Sequence, residues 1–177
     1  MTDGFVTRRI DAGEAEARLP ELAEVLVDAV EHGASVNFMA GFSLEEAVAF
    51  WRDQLPGIGN GGRRLIVADD GTRLGGTVLL LLAPQPNAPH RAEIGKMLVR
   101  SDLRRRGLGR RLLAAAEAAA RDAGRTLLLL DTESGSAGDR LYRDCGWIEY
   151  GRVPGHAFTP DGRLAETTMF YKRIAPG

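Results

Sequence analysis

The residues from Val99 to Gly124, VRSDLRRRGLGRRLLAAAEAAARDAG, set six arginines and two glycines directly ahead of an Ala/Leu run with helical character. A chain that leaves a strand, turns through glycines and enters a helix presents several backbone N–H groups without partners, together with the positive end of the helix dipole. Such a junction suits an anion. Gly107 and Gly109 carry no Cβ, so the main chain can approach a bulky group, and the neighbouring guanidinium groups are bidentate phosphate donors. Spacing separates the anion-binding classes. The phosphate loop of nucleotide hydrolases needs G-x-x-x-x-G-K-[ST], which RRRGLGRRLL does not supply. The dinucleotide fingerprint needs a third glycine where this chain has Leu112. What is present is R-x-x-G-x-G, filled by Arg104, Gly107 and Gly109. The plain alternative is a solvated basic helix face or weak polyanion patch, with Arg104, Arg105, Arg106, Arg110 and Arg111 in water. A nucleic-acid surface would add stacking aromatics, which this stretch lacks.

The elements that must hold this junction interleave along the chain. Phe5–Ile10 reads as a strand, and Pro20–Glu31 as a helix with Leu22, Val25, Leu26, Ala29 and Val30 at helical spacing. Ser43 and Glu46 form a capping box for a helix through Leu55, and PGIGNGG (Pro56–Gly62) reads as a turn. Arg64–Ala68 and Thr77–Leu82 form a hairpin around DDGTRLGG, followed by the proline-rich loop Ala83–His90. Ala92–Val99 is a strand, Gly107–Ala123 a helix, and RTLLLLDT a strand whose unbroken leucines predict cover on both faces. A short helix over Asp139–Asp144 and strands at Trp147–Val153 and Thr167–Lys172 close the chain. The order predicts an α/β or α+β fold, a mixed sheet with helices on it.

Composition narrows the classes. The chain has 177 residues, 44% hydrophobic and 27% charged, which is enough for one domain spanning 1–177 with a real core. A net charge of −1 makes the arginine run a local cluster, so nucleic acid is not the expected partner. Cys145 is the only cysteine, so no disulfide forms within the chain and a reducing compartment is expected. The N-terminus lacks a signal-peptide pattern, and no apolar run reaches membrane-spanning length, so a cytoplasmic protein without a membrane partner is expected. His32, His90 and His156 are far apart with no ligand spacing, so no metal is expected. ESGSAG lacks the G-x-S-x-G elbow, and Cys145 reads as a packed structural thiol rather than a nucleophile.

With its strand, R-x-x-G-x-G loop and helix, the chain resembles the GNAT superfamily of acyl-CoA-dependent N-acetyltransferases, and LYRDCGW (Leu141–Trp147) is similar to that family's helix-to-strand signature. The segments HGASVNFM, RAEIGKMLV, LLLLDTESGS and VPGHAFTPDGRL resemble the branch that confers tabtoxin resistance, whose members acetylate a β-lactam amino acid. The resemblance implies a mostly antiparallel sheet of about seven strands flanked by about four helices. It implies acetyl-CoA as cosubstrate, with main-chain groups of Met97, Leu98 and Val99 pairing with pantetheine and backbone N–H groups from Arg105 to Arg110, through Arg106, Gly107, Leu108 and Gly109, holding the pyrophosphate. Many relatives carry an asparagine where this chain has Gly135 and Ser136, and Ser136 is the substitute candidate for that contact.

Acetyl transfer to an amine needs a base, because an alkylammonium with a pKa of roughly 10.4 is unreactive at neutral pH. The resemblance places Glu93 and Asp131 near the reaction centre, on strands that splay around the cofactor arm. Glu93 ranks first as base, Asp131 is the alternative base or ammonium ligand, and Glu133 ranks third. Even spacing puts Glu93 on one strand face with Gly95, Met97 and Val99. Tyr142 matches the family's general acid, a phenol protonated at neutral pH. The plain alternatives are a strand carboxylate paired with arginine for Glu93, a cap for Asp131 and a core aromatic for Tyr142. His156 and the segment Pro154–Leu164 read equally as a surface loop, an acceptor-pocket wall or a contact to a second subunit in a homodimer. The expected activity is acetyl-CoA-dependent N-acetylation of a small amine, an amino-acid-like toxin or antibiotic, in a ternary complex. A protein or peptide acetyltransferase and a non-catalytic acyl-CoA-binding module remain the alternatives.

Overall fold

Short apolar runs broken by Gly and Asp turns give the strands, and amphipathic runs give the helices that cover them. The computed structural model describes residues 4–176. In chain order the elements are β1 (Val6–Ile10), α1 (Ala12–Ala17), α2 (Leu19–Glu31), α3 (Leu44–Gly59), β2 (Arg63–Asp69), β3 (Leu74–Leu82), β4 (Arg91–Val99), a 3-10 turn (Ser101–Leu103), α4 (Leu108–Asp122), β5 (Leu127–Glu133), α5 (Ala137–Asp144), β6 (Ile148–Phe158) and β7 (Leu164–Arg173). The strands form a seven-stranded sheet in the order β1-β2-β3-β4-β5-β7-β6, and β4 with β5 is its parallel pair. The mostly antiparallel mixed sheet with helices on both faces is the expected fold class.

The two sheet faces have separate cores. Val78, Leu80, Ala92, Ile94, Leu128 and Phe170 pack against Leu112, Leu113 and Ala116 of α4. On the other face Leu65, Val67, Leu79 and Leu98 pack against Leu22 and Leu26 of α2 and Trp51 of α3. Trp51 is buried to 1% exposure and its Nε1–H donates to Leu22 O at 2.9 Å, which locks α3 onto α2. No helix among the described residues is long and apolar enough to cross a membrane.

Four expectations are corrected. The segment AGEAEA forms α1, capped by Asp11, whose carboxylate accepts from Glu14 N–H at 2.8 Å. Pro56 does not end the second long helix; α3 runs on to Gly59 because burying Ile58 rewards another turn despite the missing proline N–H. In LLLL of β5 only Leu128 and Leu130 are buried, while Leu129 lines an open depression, so the strand is covered fully on one face alone. The segment read as a loop at Pro154–Leu164 is largely strand, with Pro154, Gly155 and His156 taken up in a bulge of the edge strand β6.

Asp69 fastens α1 and α2 to the sheet edge. Arg8 of β1 donates to it at 2.6 Å and Arg18, between α1 and α2, at 2.5 Å. Burial opposes its charge, but these two guanidinium groups and the Gly71 N–H bring its pKa down to about 2 from 3.8. Since the folded value is depressed, the contribution is full above about pH 4 and is lost as pH falls toward 2. Asp69→Asn is expected to lower stability at pH 7 by about 1–2 kcal/mol in urea denaturation and to flatten the pH dependence below pH 4.

Candidate active site

The central parallel pair does not stay paired. β4 and β5 are in register at Arg91 with Leu127, Ala92 with Leu128 and Glu93 with Leu129, and there the pairing ends. β4 continues to Val99 with β3 on its other side, and β5 to Glu133 with β7 on its other side. The facing edges beyond Glu93 and Leu129 therefore carry backbone groups without strand partners, along a gap through the middle of the sheet.

A bulge sits on one wall of this gap. Leu79 faces Gly95 and Thr77 faces Leu98, so two steps on β3 oppose three on β4. Lys96 takes up the extra residue with a left-handed φ of 46°, and Thr77 Oγ1 donates to its carbonyl at 3.0 Å. The bulge overturns the expected alternation. Glu93 and Gly95 share the α2/α3 face with Leu98, whereas Met97 and Val99 pack with the α4 core. The Cβ position at Gly109 confirms this, lying 3.5 Å from Met97 and 3.8 Å from Val99.

The carboxylates expected at the centre line the two walls. Glu93 makes no ion pair among the described residues, so the arginine-paired alternative does not hold. Partial burial raises its pKa and the Asp131 charge raises it further, with Arg91 and Lys96 opposing. Asp131 is exposed on β5, opposite Met169 of β7. Tyr142 lies in α5, 6% exposed, with its ring 6.0 Å from Trp147 and 6.1 Å from Phe170. Burial pushes its phenol well above the ordinary range and Asp131 adds to the shift, so the hydroxyl stays protonated. It is thus both a core aromatic and electrostatically coupled to the gap.

The arginine-glycine junction forms the upper end of the gap. Asp28 of α2 accepts from Ser101 N–H and Oγ, each at 2.7 Å, and fixes the exit from β4. Arg104 turns back, donating to Val99 O at 3.3 Å and His32 O at 3.4 Å, so its guanidinium shapes the loop. Arg105 and Gly107 adopt left-handed φ of 63° and 78°, and Gly107 caps α4 without a side-chain bond. Among the described residues, none of the backbone N–H groups from Arg105 to Arg110 donates to a protein acceptor. Arg105, Arg106 and Gly107 are exposed, Leu108 is buried in the core, and Arg110 reaches Asp144 O at 3.5 Å. The two glycines differ in purpose: Gly107 faces open space, whereas Gly109 packs against Leu141, with its Cβ position 3.2 Å away, and seats α4 on β4.

Ser136 caps α5, accepting from Asp139 N–H at 3.1 Å with Thr132 Oγ1 3.3 Å away, so its hydroxyl already has a structural task. Glu133 pairs with Arg163 at 2.6 Å in the wall of a cleft of about 740 Å³, lined also by Gly33, Phe42, Thr159 and Asp161. Ala40 N–H donates to Pro160 O at 2.9 Å and bridges the α2–α3 loop to the β6–β7 turn across this cleft. His156 is exposed and outside that lining. The Cys145 thiol is half-buried and raised by that burial. No group of three metal-ligating side chains gathers among the described residues.

Lys96, Phe38 and Phe50 were not among the sequence candidates. The Lys96 ammonium stands 5.1 Å from the Phe50 ring centre and 5.7 Å from that of Phe38, and Phe38 stacks on Phe42 at 4.1 Å. Burial lowers its pKa, with Asp131 and Glu93 opposing. A lysine between Gly95 and the apolar run Met97–Val99 of β4 was the available signal.

One family profile, the acetyltransferase (GNAT) family, matches the chain over residues 27–147. The chain belongs to that family. The solved structures similar to this acetyltransferase include ribosomal-protein-alanine N-acetyltransferase from Brucella melitensis, 25% identical, covering 96% of this chain and 99% of that chain with a TM-score of 0.72. YncA from Salmonella typhimurium, solved with its cofactor acetyl-CoA, is 20% identical over 98% of both chains, with a TM-score of 0.74. A phosphinothricin acetyltransferase from Sinorhizobium meliloti, in complex with acetyl-CoA, is 18% identical over 97% of this chain and 89% of that chain, also at 0.74. At these identities YncA and the phosphinothricin enzyme speak to the fold.

Gly107→Ala places a Cβ on a left-handed residue that has room for it, so the acetyltransferase should still fold, at a cost of about 1 kcal/mol. Calorimetry with inorganic pyrophosphate is expected to show weaker binding than to the unsubstituted protein.

Proposed function

We propose that the protein transfers the acetyl group of acetyl-CoA to the amine of a small acceptor by direct attack in a ternary complex. The observation that carries this reading is the parting of β4 and β5 beyond Glu93 and Leu129, with uncommitted backbone N–H groups from Arg105 to Arg110 at one end and Tyr142 alongside. The residues fit the cosubstrate. The free edge of Met97, Leu98 and Val99 matches an extended amide arm, and the left-handed loop at the α4 N-terminus matches a diphosphate. Acetyl-CoA supplies an activated acetyl thioester.

Glu93 is the base. Burial and the Asp131 charge raise its pKa, which makes it a stronger proton acceptor than an ordinary glutamate, and it takes the ammonium proton directly or through water. Asp131, opposite, is the alternative base or the ligand that orients the ammonium. Tyr142 is the acid: its phenol is held protonated by burial and can give a proton to a departing thiolate. Glu133 is engaged with Arg163, which argues for a role in shaping the acceptor cleft.

The segments resembling the tabtoxin-resistance branch favour an amino-acid-like toxin or antibiotic as acceptor, and the Ala40–Pro160 bridge across the cleft favours a small molecule over an extended peptide. The Brucella neighbour's name keeps a peptide amine as the second reading. A panel of amino-acid, antibiotic and peptide amines, with release of CoA thiol as the signal, separates them.

Glu93→Gln and Tyr142→Phe are each expected to lower kcat by about 100-fold or more with acetyl-CoA affinity nearly unchanged. In the unsubstituted enzyme kcat/KM should rise with pH through an ionisation above the ordinary glutamate value of 4.5, and that limb should vanish in Glu93→Gln. Full turnover in both variants would contradict the assigned roles.

A further inference from the structure

Lys96 is half-buried at the bulge of β4 and has no task in the reaction as drawn. A left-handed φ is strained for a lysine, and Thr77 Oγ1 holds the backbone there against it. The result is a fixed direction for the side chain, whose ammonium lies over Phe50 at 5.1 Å and Phe38 at 5.7 Å. The ring faces stabilise a cation but accept no ordinary hydrogen bond. Among the described residues Nζ makes no hydrogen bond and no ion pair, so its three donors are uncommitted. A partly desolvated ammonium with unused donors is a binding group for an acceptor of hydrogen bonds, and a charged one best.

The surroundings say which ligand would bring it. Glu93 and Asp131 act on Lys96 from the two walls of the strand gap, and Phe38 leads through its stack with Phe42 into the lining of the 740 Å³ cleft. Two negative groups and one positive group thus surround the place where an amine would meet the thioester. We propose that Lys96 determines acceptor specificity by pairing with an anionic group, a carboxylate, carried beside the amine of the acceptor. This rests on the reading that an amine is acetylated at this site. The carboxylates receive the ammonium and Lys96 the anion, so the acceptor class is the zwitterion of an amino acid or its analogue. A diamine or other polycation sets a second positive charge against Lys96 where water is partly excluded, and is disfavoured.

The test offers L-α-amino acids, their α-carboxamides and α,ω-diamines to the full-length protein with acetyl-CoA, reading thiol release, and measures the effect of each on Tm with CoA present. The acids are expected to exceed their amides by about tenfold or more in kcat/KM, the size of one charged hydrogen-bonded contact. In Lys96→Met that ratio should collapse toward unity through KM for the acids, and Lys96→Arg should restore part of it. Equal use of acids and amides by the unsubstituted protein overturns the inference. So does a loss in Lys96→Met that is the same for both, with a displaced pH profile, because it would mean that Lys96 only tunes Glu93. If nothing in the panel turns over, the Tm comparison decides: acids stabilising more than amides in the unsubstituted protein, and not in Lys96→Met, uphold it, and no difference overturns it. Acetyl-CoA that neither raises Tm nor is consumed counts against the acetyltransfer reading, and the acid–amide comparison still decides for Lys96.

Discussion

The structure depends on one interrupted interaction, the backbone pairing between β4 and β5. Three register pairs hold the strands at Arg91, Ala92 and Glu93, and then the ladder stops inside the protein. Buried main-chain polar groups without partners are costly, so a native sheet does not open in its middle without compensation. Here each strand keeps its other neighbour, β3 or β7, which fixes the walls while the edges between them stay free. An extended ligand with amide groups of its own is the natural partner for such edges.

The remaining elements hold that opening in place. The bulge at Lys96 turns Met97 and Val99 toward α4 and leaves Glu93 and Leu98 toward α2 and α3, so the strand reverses its facing part-way along the gap. Gly109 brings α4 onto that strand, Gly107 lets the chain enter the helix, and Asp28 anchors the loop from across the sheet. A partly buried ion pair finishes the frame: Lys172 of β7 donates to Glu117 of α4 at 2.8 Å and to Cys145 O at the end of α5 at 2.8 Å. The helix that would face a diphosphate and the helix that carries Tyr142 are thereby tied to the same strand.

The sequence made some of this legible and hid the rest for definite reasons. The glycine turn into α4 could be read because its signal is local: glycines at a fixed spacing in front of a helix run mark such a junction in any fold. The capping box at Ser43 and Glu46 is local too, and forms as expected. The face of Glu93 was misjudged because a bulge is a property of two strands, and nothing within RAEIGKMLV announces that Thr77 will hold an extra residue there. Pro56 misled because one buried isoleucine two residues later outweighs a missing N–H. The cleft beside Glu133 was legible only on one side, as a wall that the segment Pro154–Leu164 could form; its other side was hidden, since Ala40 and Pro160 meet only once the chain has folded.

Hydrogen exchange of the backbone amides with and without acetyl-CoA tests the central claim most directly. The account predicts slowed exchange at two separate places, the β4 edge at Met97–Val99 and the loop from Arg105 to Arg110, and little change in β1 or β2. Binding that leaves both places unprotected, or no binding at all, would contradict it.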